Sequence, residues 1–250
     1  MNVIAVGSVK GTVGVTVTAL ALAAAAAEHS RVVLVEADSS GGVLAGVCPQ
    51  LHPLPGLEAL AADREPFTLA RLAAATQQLG SVPVVVAPVD MFRAWVTVAS
   101  PRNRWWTSLV ADDGLVIVDV GRIGGGSPVG PILSIADRVV LVVPPTPLGL
   151  AGGLEWCEQG GRIAPGVVGI SPEVCRLVTV HPPTRRRDTA AFDAGEVRVQ
   201  AGSRLAGVMP WDPVAVDLLF RGADFSYRNL AGSPLVQAAR QLHESLSVSQ

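Results

Sequence analysis

The stretch that most constrains this chain runs from Val3 to Glu28. Val3 to Val6 is a short apolar run that predicts a buried strand, and the alanine-rich run Val17 to Glu28 predicts a helix. Between them lies Ser8-Val9-Lys10-Gly11-Thr12-Val13-Gly14-Val15-Thr16. Strand, glycine-bearing loop and helix form the arrangement in which backbone N–H groups and a helix N-terminus together cradle a phosphate. Gly11 and Gly14 let the backbone curl around an anion, and Thr16 stands where such a loop places a Mg²⁺-binding hydroxyl. One position departs from the pattern. Before Thr16, where a phosphate-holding lysine belongs, stands Val15. Lys10 is the single lysine of the chain, and it falls inside this loop. The bland alternative is chance placement in an ordinary strand-to-helix turn.

The strand pattern repeats. Val32 to Glu36, Val82 to Ala87, Leu115 to Asp119 and Arg138 to Val143 are continuous apolar runs, and Arg176 to Val180 and Leu205 to Val208 are shorter candidates. Helical patterns separate them at Leu57 to Ala62, Thr68 to Leu79, Arg104 to Ala111, Leu148 to Gln159, Val214 to Phe220 and Pro234 to Leu246. Apolar runs without alternation are strands covered on both faces, so the pattern predicts an α/β fold: a mostly parallel central sheet with helices on both faces. Ligands of such sheets bind beyond the C-terminal ends of the strands, where Lys10, Asp38 and Asp119 fall. No long linker or internal repeat divides the 250 residues, so one domain over 1–250 is expected. Thr184 to Ser203, with Arg185-Arg186-Arg187, reads as a surface insertion.

Composition limits the function classes. A hydrophobic fraction of 49% supports a large core. The net charge of −2 supplies no global basic field for nucleic acid or anionic lipid. Arg185 to Arg187 is a local basic cluster without interleaved aromatics, which a solvated loop explains equally. Cys48, Cys157 and Cys175 are far apart, arguing against a disulfide framework or metal cluster and for a reducing cytoplasm. Lys10 and the apolar run after it resemble part of an export signal, but the apolar strand before the charge and the βαβ continuation do not. No run reaches the length of a membrane span. His29, His52, His181 and His243 lack metal-binding spacing, and no G-x-S-x-G elbow is present. His181, before Pro182-Pro183, reads as a loop residue. Trp105-Trp106 beside Arg102 and Arg104 is a candidate partner-binding spot.

Two carboxylates follow the glycine loop in order. Asp38 emerges from Val33-Leu34-Val35-Glu36-Ala37, and Asp119 closes Leu115-Val116-Ile117-Val118 before Val120-Gly121. Aspartate ending a strand is a common turn residue. After a phosphate loop, however, the same placement suits holding Mg²⁺.

Together these segments resemble the MinD/ParA family of P-loop ATPases, whose deviant Walker A loop reads x-K-G-G-x-G-K-[ST]. The resemblance covers nearly the whole chain. It implies that Lys10 is the signature lysine, reaching the partner subunit's nucleotide, and that Lys10 and Asp38 serve catalysis. It also implies nucleotide contacts from Lys10, Gly11, Thr12, Val13, Gly14, Val15, Thr16, Gly121, Pro210 and Asp212, and Mg²⁺ contacts from Thr16, Asp38 and Asp119. Glu36 replaces the first aspartate of the family's D-A-D element. Ala136 to Val142 and Gly207-Val208-Met209-Pro210-Trp211-Asp212 resemble the family's A-D-x-V-L-L-V strand and its segment near the adenine.

The departures shape the functional expectation. Val9 and Thr12 replace glycines, and Val15 removes a cation from the β/γ-phosphates. Phosphoryl transfer depends on positioning and charge stabilisation, so this loss is expected to leave ATP binding weak or absent and hydrolysis at background. The resemblance then implies a homodimeric pseudo-ATPase that positions or scaffolds a cytoplasmic or membrane-associated machine, closest in character to the TadZ/CpaE localisation branch. Its protein partner would belong to a positioning, pilus, secretion or partitioning system. An active ATP-dependent dimerisation switch is the rival. A small-molecule enzyme on the related dethiobiotin-synthetase scaffold is a third reading.

Overall fold

The central element is an eight-stranded sheet, seen in a computed structural model that describes residues 2–11, 14–62, 69–100, 105–106, 114–161, 169–181 and 191–247. In chain order the strands are β1 (Asn2–Ser8), β2 (Val32–Glu36), β3 (Gln77–Leu79), β4 (Val82–Val85), β5 (Leu115–Arg122), β6 (Arg138–Val143), β7 (Cys175–His181) and β8 (Leu205–Pro210). Their spatial order is β3-β4-β2-β5-β1-β6-β7-β8, and every pairing is parallel except β3 with β4. The doubly covered parallel sheet expected from the apolar runs is therefore present.

Alternate residues of each strand feed two cores. Ile4, Val6, Leu115 and Ile117 join the cluster beneath α1 (Val15–Ala27), α9 (Pro213–Phe220) and α10 (Pro234–Ser247). Val3, Ala5, Val116 and Val118 join the opposite cluster, with residues of α3 (Leu57–Ala62), α5 (Met91–Ala99), α6 (Gly130–Ser134), α7 (Pro147–Glu158) and α8 (Ala194–Ala201). Two short helices, α2 (Leu44–Val47) and α4 (Leu69–Ala75), complete the described elements. Helix α1 is alanine-rich because it is enclosed nearly all round: ten of its residues are buried. Small side chains let it lie between the sheet and α10. Its C-terminal end is clamped by Glu28, whose two carboxylate oxygens each accept a 2.7 Å hydrogen bond from Arg240 of α10.

The structure corrects the sequence reading in several elements. Thr68 to Leu79 is not one helix: α4 stops at Ala75, and Gln77–Leu79 turns back antiparallel to β4 through Gly80 at φ +59°. Gln77 anchors that edge strand, since its amide donates to the His52 and Pro55 carbonyls at 2.7 Å each. Part of the expected surface insertion is α8, closed by an Asp193/Glu196 capping box, with Val197 fully buried. Helix α5, N-capped by Asp90, was not anticipated. Trp105 is fully buried, and half-buried Trp106 packs edge-on to it at 6.0 Å against the same core. Among the described residues the exposed aromatics are instead Phe92 and Trp95 of α5, with Trp211 and Tyr227. Most of the expected Arg104 to Ala111 helix, and Arg185 to Arg187, lie outside the described residues. Among the described residues, no helix is long and apolar enough to cross a membrane.

Candidate functional site

The C-terminal ends of β1, β2 and β5 meet at the start of α1. Register places Glu36 beside Asp119 and Ser8 beside Arg122, so the loop after β1 and both carboxylate-bearing strand ends share one edge. Gly11 (φ +65°) and Gly14 (φ +101°) take left-handed conformations that a glycine adopts without penalty. Gly14 is the N-cap residue of α1, and no side chain caps it. The first N–H groups of this 13-residue helix are thus left for an anion. Thr12 and Val13 lie outside the described residues.

Val15 has left the phosphate side. Only 6% exposed, its isopropyl group belongs to the hydrophobic cluster under α9 and α10. The position that carries a cation in a standard phosphate loop is therefore part of the core. Val9, where a glycine is usual, is half-buried against the opposite core.

Asp119 is completely buried at the end of the sheet. One oxygen, Oδ1, accepts from the Gly121 N–H at 2.9 Å. The other, Oδ2, has no hydrogen-bond partner among the described residues. Burial pushes the acid up to about 7; the Thr16 hydroxyl nearby pulls the other way, and the Glu36 charge pushes further up. Asp38 is half-buried above Gly121, and its Oδ1 accepts from the Ser40 N–H at 2.7 Å. Burial raises its pKa too, against N–H groups of Ser40 and Arg122 that favour the ionised form. Gly121 has to be glycine here: its φ is +58°, and a Cβ would stand 2.0 Å from Asp38 Cγ.

These residues fit a hydrated Mg²⁺ ion on a phosphate. The hydroxyl of Thr16, the orphaned oxygen of Asp119 and the nearby Asp38 are hard oxygen donors of the kind Mg²⁺ prefers. The described residues hold no cluster of three His, Cys, Asp or Glu that could bind a metal alone. A nucleotide Mg²⁺ needs no such cage, because phosphate oxygens and waters supply its remaining ligands. On the phosphate side the described residues offer the uncapped N-terminus of α1, with no lysine at position 15.

Glu36 has a different part. Its carboxylate is fully buried and accepts three backbone N–H bonds: Oε1 from Val43 (2.6 Å) and Leu44 (2.9 Å), Oε2 from Ala87 (2.9 Å). It ties β2 to the loop after β4 and to the start of α2, and so fixes the Asp38-bearing turn from behind. Gly42 leaves room for it, since a Cβ there would be 2.7 Å from Oε2.

Other site candidates are less closely gathered. Lys10 is exposed and folds along α7, with Nζ 3.8 Å from the place of a Cβ on Gly152. Pro210 ends β8, and Asp212 is engaged as the N-cap of α9, accepting from Ala215 N at 3.0 Å. His181 is the last residue of β7 rather than a loop residue, and its ring pairs with the Thr179 hydroxyl at 3.0 Å. The sequence reading missed Arg122, whose Cδ and Nε lie 3.4 and 3.7 Å from the place of a Cβ on Gly11. Its only signal was a position three residues after Asp119 in Asp119-Val120-Gly121-Arg122.

No family model matches the sequence, and no curated protein matches it. Solved structures do match in fold. The cell-division ATPase MinD of Pyrococcus furiosus is similar over 98% of this chain and 98% of its own, with TM-score 0.71 and 17% identity. The ParA family ATPase of Chlorobium tepidum is similar over 97% of each chain, with TM-score 0.71 and 16% identity. The septum site-determining protein MinD of Pyrococcus horikoshii, complexed with Mg-ADP, is similar over 99% of this chain and 96% of its own, with TM-score 0.67 and 17% identity. The chain therefore has the MinD/ParA-like P-loop fold.

Proposed function

We propose that this chain is a degenerate MinD/ParA-like ATPase homologue. It acts as a homodimeric positioning or scaffolding adaptor for a cytoplasmic or membrane-associated machine, closest in character to the TadZ/CpaE localisation branch. The observation that carries this reading is Val15, an apolar side chain in the core where phosphoryl transfer needs a cation. Nucleotide binds weakly at most, with Mg²⁺ on Thr16, Asp38 and Asp119, and is a ligand rather than a substrate that turns over. A positioning role is supported by the likeness to a septum site-determining protein, whose structure is a complex with Mg-ADP.

One observation favours a second reading, an active ATP-dependent dimerisation switch. Thr16, Asp38 and Asp119 are all present on the Mg²⁺ side, and Asp119 keeps a buried oxygen without a hydrogen-bond partner among the described residues. Sedimentation with and without Mg-ATP separates the two readings. The adaptor is a dimer at tens of micromolar without nucleotide, whereas the switch is a monomer that dimerises only when ATP is added. If Lys10 crosses to the partner, Lys10→Ala lowers the dimer affinity; an unchanged affinity leaves it with the contact to α7 alone.

A further inference from the structure

The loop has lost a cation at position 15, yet another basic side chain already lies across it. Arg122 is the last residue of β5, held beside Ser8 by strand register and by the 2.8 Å hydrogen bond from Ile123 N to the Ser8 carbonyl. The left-handed Gly121 before it turns the chain so that the Arg122 N–H faces the Asp38 carboxylate. The side chain then crosses Gly11, its Cδ and Nε at ordinary van der Waals distance from where a Cβ on that glycine would stand. One residue thus touches both halves of the candidate site, the Mg²⁺-side carboxylate through its backbone and the phosphate loop through its side chain.

The guanidinium is available. Arg122 is exposed, and it forms no ion pair among the described residues. It also borders an open cavity of about 480 Å³ that reaches Ser39, Ser40 and Gly124 to Ser127. Lys10 points elsewhere, its ammonium against Gly152 of α7. An independent sign that a ligand completes this edge is the buried Asp119 Oδ2, which has no hydrogen-bond partner among the described residues.

We propose that Arg122 replaces the missing lysine in cis, donating to the phosphate chain of a nucleoside di- or triphosphate bound where Gly11 and the N-terminus of α1 meet Asp119. A guanidinium is suited to that place, since its planar fork pairs two phosphate oxygens at once and it is always charged. The inference rests on the reading of the loop as a nucleotide site, and the experiment separates the two. Isothermal titration is run with Mg-ATP, Mg-ADP and magnesium tripolyphosphate on the wild type, Arg122→Gln, Arg122→Lys and the remote control Arg221→Gln. Arg122 is solvent-exposed, so the variants are expected to fold, and thermal melts check this. The expected result is a loss of about tenfold or more for all three ligands in Arg122→Gln, partial recovery in Arg122→Lys and no change in Arg221→Gln. Wild-type binding of Mg-ATP that Arg122→Gln matches would overturn the role of Arg122 and leave the nucleotide site standing. Arg122-dependent binding of tripolyphosphate as tight as that of Mg-ATP would support the phosphate contact and reject recognition of the nucleoside. No binding of any ligand by the wild type would overturn both.

Discussion

Replacing Glu36 tests the architecture that supports the site. In Glu36→Ala three buried N–H groups, those of Val43, Leu44 and Ala87, lose their acceptor at once. Each orphaned buried donor costs about 1–3 kcal/mol, so the substitution is expected to cost at least ~3 kcal/mol even after partial relaxation. That is a large share of the ~5–15 kcal/mol by which a domain is stable. Glu36→Gln separates shape from hydrogen bonding. Its remaining oxygen serves Val43 and Leu44 while its NH₂ faces the Ala87 N–H, so it is expected to cost about 1–3 kcal/mol. Urea unfolding followed by circular dichroism gives both values from the midpoint and slope. A Glu36→Ala protein within about 0.5 kcal/mol of wild type would refute the argument, because it would mean that water reaches these donors in the folded state.

Three further outcomes follow from the same geometry. Val15→Lys should lower stability by about 1–3 kcal/mol, because a longer side chain enters a packed cluster, while raising Mg-ATP affinity in a titration. An unchanged affinity would place the block in the loop backbone itself. Gly121→Ala should cost about 1–3 kcal/mol through its left-handed φ and should weaken Mg²⁺-dependent nucleotide binding by displacing Asp38, measured by melting and titration. Arg240 holds Glu28 below the usual carboxylate range through its hydrogen bonds, so Glu28 contributes stability above its unfolded value of 4.5 that is lost as pH falls through the lower folded value. Glu28→Gln should therefore cost less than about 1 kcal/mol at pH 7, with the gap to wild type closing below about pH 4.5 and in high salt.

The parts of this protein legible in its sequence are those governed by local pattern. Continuous β-branched runs such as Val32 to Glu36 can only be strands covered on both faces, and they appear as central strands of the sheet. The glycine loop between strand and helix likewise marked the start of α1. What escaped depends on distant partners. Gln77–Leu79 carries no strand pattern of its own and is held by hydrogen bonds to residues 52–55. Glu36 reads as a substituted site residue, but its acceptor role requires Ala87, 51 positions away. Arg122 reaches Gly11 only because β1 and β5 pair in the register that sets Ser8 beside it. Trp105-Trp106 reads as a partner-binding spot because tryptophan and arginine stand together there, yet Trp105 is fully buried and Trp106 is partly buried against the same core. Two signals were present and unread: the Gly80-Ser81 hairpin turn and the D-x-x-E capping box at Asp193.

The central claim is that a loop whose lysine position is buried in the core no longer transfers phosphate. The most direct test is steady-state hydrolysis of saturating Mg-ATP by the wild type beside Asp38→Asn and Asp119→Asn. The account predicts that all three release phosphate at the same background rate. Hydrolysis by the wild type that disappears in both variants would contradict it and establish a working switch.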